Sequence, residues 1–169
     1  FPELVRTTGQ PKRSFDLIAP YFVPGDEGTA ALVATAERGV RVRVLTNSLA
    51  STHASVVHSG YAKRRKDLLR AGVQLYELRT TAMRDEREGK GKSGSGSSAA
   101  LHAKTFAVDG SRIYVGSFNF DLRSARLNTE MGLVIDSPAL AGHLSETFDN
   151  DVPLAAYEVR LKDDGESLE

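Results

Sequence analysis

The sequence predicts an α/β protein whose mixed β-sheet is sandwiched between helices. Three observations carry this. Short apolar runs of strand length alternate with longer stretches of helical pattern over residues 14–78. An Asp-Gly pair at 109–110 separates two further apolar runs, which signals a hairpin. The chain has 169 residues, 40% of them hydrophobic, enough for one domain with its own core.

The elements follow in order. Residues 1–13 read as the tail of a helix and a polar turn. Ser14 to Ala19 is a buried strand, stopped by Pro20. Pro24-Gly25 marks a turn, and Asp26 is placed to cap a helix running to about Arg38. Gly39 stands where a helix-ending glycine belongs. Val40 to Leu45 is a second strand. Ser51 or Thr52 starts a long helix that ends near Ala71-Gly72, and Val73 to Leu78 is the third strand. Residues 84–98 hold Gly, Ser and charges with no apolar anchor, and read as a flexible loop. Ala100 to Val108 and Ser111 to Ser117 form the hairpin. Thr129 to Ile135 is a further strand, Pro138 to about Phe148 a helix, and Ala155 to Leu161 an edge strand. The polar tail from Lys162 should fray.

Composition removes several kinds of chemistry. Lys plus Arg and Asp plus Glu are both 22, so the chain as a whole has no basic nucleic-acid footprint. There is no cysteine, hence no disulfide, thiolate nucleophile or Cys-ligated zinc. The histidines His53, His58, His102 and His143 fall in no metal-ligand spacing, and no metal or cofactor is expected. No apolar run reaches the roughly 18 residues of a membrane span. The chain opens at Phe1 with no secretory signal, and reads as a single domain cut from a longer protein.

The hairpin concentrates reactive side chains. With Asp109-Gly110 as a two-residue loop, Val108 should pair with Ser111, Phe106 with Ile113, Lys104 with Val115 and His102 with Ser117. His102, Lys104, Ser117 and Asn119 then share one face at one end. Gly116 leaves room there for a ligand to approach the backbone. One imidazole, one ammonium, one hydroxyl and one amide suit a phosphate. The imidazole can attack phosphorus or protonate a leaving oxygen, while the cation and amide stabilise the charge. Glu130, on the next strand, is placed to accept the second ring N–H of His102. Asp109 lies seven residues from His102, roughly 23 Å along an extended strand, so the same hairpin gives it a turn or network role.

These residues carry a resemblance. His102-Ala-Lys104-Thr-Phe-Ala-Val-Asp109 followed by Gly116-Ser117-Phe-Asn119 resembles the HxKxxxxDxxxxxxGSxN signature of the phospholipase D superfamily. Six fixed positions make a chance match about one in a few hundred thousand. Asp121-Leu-Arg123-Ser124 and Asn128-Thr-Glu130 resemble the cardiolipin synthase and transphosphatidylase branch. Pro20 to Gly25 and Val40 to Glu77 look, more loosely, like the second half of such enzymes. The resemblance implies a phospholipase D-like α-β-α domain and a metal-independent phosphodiesterase or phosphatidyltransferase. One motif histidine attacks phosphorus to give a phosphohistidine. The histidine of a second motif protonates the leaving alcohol and then activates water or an acceptor alcohol. In a second half, His102 is the general acid/base; the resemblance also counts Lys104 and Asp109 as motif residues.

This chain carries one motif where such a site needs two. The other lies upstream in a longer protein or on a second copy, as in the small dimeric nucleases of the superfamily. A third reading is a non-catalytic domain that binds phosphorylated ligands. The resemblance implies an anionic, phosphatidylglycerol-like substrate and a bacterial cytoplasmic or inner-membrane-face location, with nucleic acid the lesser partner. Tyr21 is counted with the pocket lining. His58 and Tyr61, one helical turn apart, line the pocket or pack the core. Arg123 contacts substrate or pairs with a nearby acid. The basic run Lys63-Arg64-Arg65-Lys66 with Arg70 attracts headgroups or is a solvated helix face.

Overall fold

A computed structural model describes residues 6–51, 55–79, 101–165 and 167–169, with the backbone alone for 55–57. The loop expected at 84–98 lies outside the described residues, as do Thr52 and His53. Among the described residues the fold is a mixed seven-stranded sheet and a two-stranded one. The strands are β1 (Ser14–Ile18), β2 (Phe22–Val23), β3 (Arg41–Asn47), β4 (Gln74–Leu78), β5 (Thr105–Val108), β6 (Arg112–Gly116), β7 (Phe120–Asp121), β8 (Gly132–Asp136) and β9 (Ala156–Val159). The large sheet runs β8-β6-β5-β1-β3-β4-β9, and β2 pairs with β7. β1, β3 and β4 are parallel; the other pairs of the large sheet are antiparallel.

Helices cover both faces. α1 (Gly25–Glu37), α2 (Ser55–Ala62) and α3 (Arg65–Arg70) lie on one side, and α5 (Pro138–Asn150) with α6 (Val152–Ala155) on the other. The short α4 (Leu122–Arg126) follows β7. Strand alternation divides the core accordingly. Leu17, Val44, Phe106 and Tyr114 pack with Leu32 of α1, Tyr61 of α2 and Leu68 of α3. Their neighbours Ile18, Leu45, Ala107 and Ile113 pack with Ala141, Leu144 and Phe148 of α5. A polar group is also buried on the α5 side. Arg43 forks onto Asp16 at 2.6 and 3.0 Å and reaches Asp149 at 2.5 Å. Paired in this way, its charge is tolerated inside.

Several expectations need correction. Asp26 does not cap α1: the N-cap is Pro24, and no side chain makes a cap hydrogen bond there. Gly39 does end that helix, with φ 83° and its N–H on Ala36 O. The long helix is two helices. At the break Arg64 turns out to Asp26 (2.5 Å) while Arg65 turns in to Glu77 (2.9 Å), so adjacent residues are drawn to opposite sides. The helix start expected at Ser51 or Thr52 adjoins residues 52–54, outside the described residues; the Ser51 hydroxyl is buried against Ser48 and Asn47. The strand expected from Ala100 is ordered as β5 only from Thr105, because Pro20 ends the neighbouring β1. The tail does not fray: Leu161 bridges Leu168, and Arg160 exchanges two backbone bonds with Glu169. β2, β7, α4 and α6 are too short to leave a periodic signal.

The parallel strands β1, β3 and β4 end on the same edge of the sheet. Ligands of such α/β sheets bind outside the carboxyl ends of the strands. The segment that carries His102 crosses this edge, since Leu101 bonds Asn47 at the end of β3.

Candidate active site

The turn forms as expected, but the register does not. Asp109 and Gly110 both take positive φ, 55° and 62°, and Ser111 N–H closes the turn on Val108 O at 3.1 Å. Ser111 is then left over, so Val108 pairs with Arg112 and Phe106 with Tyr114. Lys104 faces Gly116, whose N–H bonds Lys104 O at 3.1 Å, rather than Val115. In an ideal hairpin this one-residue slip would send Ser117 and Asn119 to the face opposite His102 and Lys104. β6 stops at Gly116, however, and the chain beyond is directed by β8 instead. Ser117 N–H bonds Met131 O at 2.8 Å, and Met131 N–H bonds Ser117 Oγ at 3.0 Å.

Glu130 gathers the cluster. It does not engage the His102 ring. The Ser117 hydroxyl donates to Glu130 Oε2 at 2.5 Å and the Asn128 amide donates to Oε1 at 3.2 Å. Slight burial pushes the Glu130 pKa up, but these hydrogen bonds and the Lys104 charge hold it below its ordinary value. Burial in turn pulls Lys104 below its ordinary pKa, against the Glu130 charge. Lys104 Nζ also donates to His102 O at 2.9 Å. The His102 side chain is exposed and, among the described residues, hydrogen-bonded to none. Asn119 is not tied to the cluster; its Oδ1 is buried without a partner. Arg123 joins from outside, donating to Asn128 Oδ1 at 3.2 Å. Glu130 and Asn128 border an open cavity of about 540 Å³ that Tyr114, Phe118 and Met131 also line.

Gly116 has a different reason from the one expected. A Cβ there would lie 2.3 Å from Tyr114 Oη and 2.4 Å from Met131 O. Gly116 pairs with Gly132, where a Cβ would strike the same ring at 2.3 Å. The two glycines make the slot that seats Tyr114, stacked on Phe106 at 4.9 Å.

The remaining residues fall elsewhere. Asp109 sits at the far end of the hairpin, where its carboxylate accepts the backbone N–H groups of Lys12, Arg13 and Ser14. Tyr61 is core, 2% exposed. His58 is buried beside it, and Arg65 donates to His58 Nε2 at 2.5 Å. Burial and then the Arg65 charge push the His58 pKa down. Arg65 therefore belongs to this buried group and not to a solvated basic face. Tyr21 is 36% exposed, and the β1–β5 register, if continued, would set it opposite His102. Sequence reasoning noted Asn128 only as part of the resemblance and gave it no site role, and it missed Asn47. Asn128 is only two residues from Glu130, which local spacing could have suggested; Asn47 left no local signal.

The family described as cardiolipin synthase, PLD-like domain, matches residues 4–152. Cardiolipin synthase C of Escherichia coli K12 is 47% identical over 154 residues, 90% of this chain and 32% of its own length. Cardiolipin synthase A of Cronobacter sakazakii is 35% identical over 136 residues, 79% of this chain and 24% of its own length. The chain thus spans about a third or less of these relatives. In fold it is similar to Nuc of Salmonella typhimurium, a phospholipase D family member, with TM-score 0.67 and 23% identity over 94% of this chain and 90% of that one. With its motif intact at the exposed end of the hairpin, the chain belongs to the cardiolipin synthase, PLD-like domain family.

Proposed function

We propose that this chain is one half of a phospholipase D-type active site, the second half of a longer enzyme, that transfers or hydrolyses the phosphodiester of an anionic phospholipid. One observation carries the reading. His102 is exposed where Ser117 is bonded to Glu130 and Lys104, held on the His102 carbonyl, lies in the field of the Glu130 charge, which leaves the imidazole open to a group from outside. His102 protonates the leaving alkoxide as a histidine of the other half forms a P–N bond to phosphorus. It then takes a proton from water or an acceptor alcohol, whose oxygen displaces that histidine. Lys104 and Asn119 supply positive charge and an amide donor for the phosphoryl oxygens. Val115, Leu127, Met131 and Leu133 are exposed apolar residues beside this cluster, and offer a surface for the half that brings the second motif.

No helix among the described residues is long and apolar enough to cross a membrane. We place the domain against the cytoplasmic face of a bacterial inner membrane, where a phosphatidylglycerol-like substrate is reached. A second reading, two copies of this chain completing a nuclease-like site, is favoured by the match to 90% of Nuc, a chain of similar extent.

The test is phosphodiester turnover by the purified chain in EDTA, with phosphatidylglycerol vesicles and with DNA, against His102→Ala. A folded chain that is inactive alone, and gains His102-dependent lipid turnover when joined to the upstream half, supports the half-site. Turnover by the chain alone that vanishes with His102 supports two copies. Turnover that survives His102→Ala sinks the mechanism.

A further inference from the structure

The segment carrying His102 lies where the sheet has lost a strand. β1 pairs with β5 as far as Ile18 opposite Thr105. Pro20 lacks an N–H and cannot continue that ladder. β3 runs on to Asn47, two residues beyond the Leu45 that pairs with Ile18. The Asn47 side chain crosses the gap. Leu101 N–H donates to Asn47 Oδ1 at 2.9 Å, and Asn47 Nδ2 donates to Leu101 O and to Pro20 O, each at 3.3 Å.

Two bonds to the N–H and C=O of one residue are what a hydrogen-bonded strand neighbour supplies. A carboxamide can imitate this because, like a peptide group, it carries a donor and an acceptor. Serine or threonine is too short to do both, and a carboxylate has no donor. The group is also braced. Asn47 is 6% exposed, its Oδ1 accepts from Ser51 Oγ at 3.4 Å, and its backbone is held in register with Leu78. His58 hydrogen-bonds the Asn47 backbone and is fixed in turn by Arg65, which is paired with Glu77. On the other side, Leu101 packs onto the α5 core cluster. The peptide that joins Leu101 to His102 is therefore held by its carbonyl.

We propose that Asn47 is a positioning residue for His102: its carboxamide replaces the strand that Pro20 ends and sets the peptide plane from which the imidazole projects. This rests on the reading of His102 as the reacting group. The imidazole itself is free of side-chain bonds among the described residues, so its placement depends on its backbone. Misplacement on the scale of an ångström costs on the order of a hundredfold in rate.

The experiment is amide hydrogen exchange and imidazole NMR on the whole chain, comparing the native protein with Asn47→Ala and Asn47→Asp. In N47A the Leu101 amide should exchange on the order of tenfold faster or more, and the His102 ring signals should shift, while Val44 in the middle of β3 keeps its protection. In N47D, Leu101 protection relative to the native chain should rise as pH falls, because a protonated carboxyl again carries donor and acceptor. Unchanged Leu101 protection in folded N47A overturns the proposal. So does loss of protection at Leu101 and Val44 together, which marks a general loss of stability. Failure of the His102-dependent turnover described above would refute the functional reading; the exchange data judge the clamp independently of it.

Discussion

Ser117 and Glu130 meet at 2.5 Å, hydroxyl to carboxylate, across the gap between β6 and β8. The contact has two consequences. It keeps the carboxylate charged beside Lys104, and it occupies the serine hydroxyl, which a phosphate oxygen would have to share. The anionic Glu130 therefore stands beside Lys104 at rest, and under the proposed function a phosphate would be drawn by Lys104 against its repulsion.

Glu130→Gln tests this balance. The Glu130 pKa is lowered in the fold, so its contribution to stability is present above the unfolded value of about 4.3 and lost as pH falls through the lower folded value. The site is largely exposed, so the native-minus-variant difference at neutral pH should stay below about 1 kcal/mol. Denaturant titration at several pH values should show that gap closing in acid. Glu130 also raises the Lys104 pKa, so in E130Q the Lys104 ammonium should titrate lower, as Nζ NMR would read.

Asp109 should behave as a structural residue although it belongs to the motif. Its carboxylate ties down three successive N–H groups at the start of β1, at 3.0, 2.7 and 3.1 Å. Burial raises its pKa, but those backbone bonds bring it below the ordinary value. Asp109→Asn should cost about 1–2 kcal/mol and lower Tm by roughly 2–8 °C. The cost should be present above about pH 3.9 and fade as pH falls through the folded pKa. The Ser117 and Glu130 signals should not move; a rearranged cluster in folded D109N would contradict this separation.

The glycine pair predicts an asymmetric rescue. For Gly132→Ala the three nearest atoms all belong to the Tyr114 side chain, at 2.3–2.5 Å, whereas Gly116→Ala also meets backbone, Met131 O at 2.4 Å. Each should destabilise by about 1–3 kcal/mol. Adding Tyr114→Ala should recover part of the loss for Gly132→Ala and little for Gly116→Ala, because backbone cannot be trimmed. Equal rescue in a double-mutant cycle would show that the Met131 contact does not matter.

Residue order alone determined a good deal about this protein. The strand and helix sequence was readable because periodicities of two and 3.6 are local, and β1, α1, β3, β4 and α5 fall where apolar spacing and Pro or Gly punctuation set them. The motif named His102, Lys104, Ser117 and Asn119 by spacing, and Asp109-Gly110 gave its turn. Tertiary structure decided the rest. Whether Ser111 joins the ladder depends on competition among backbone groups, here settled by Ser111 O accepting from Ser137 N–H at 2.9 Å, and that choice moved the hairpin register by one. Glu130 took Ser117 and not His102 because β8 pairs with β6 at Gly116–Gly132. Asn47 reaches Leu101 across 54 residues of sequence. A contact of that kind has no period and no neighbouring signal; it exists only once the sheet has brought the end of β3 beside a strand that proline cut short.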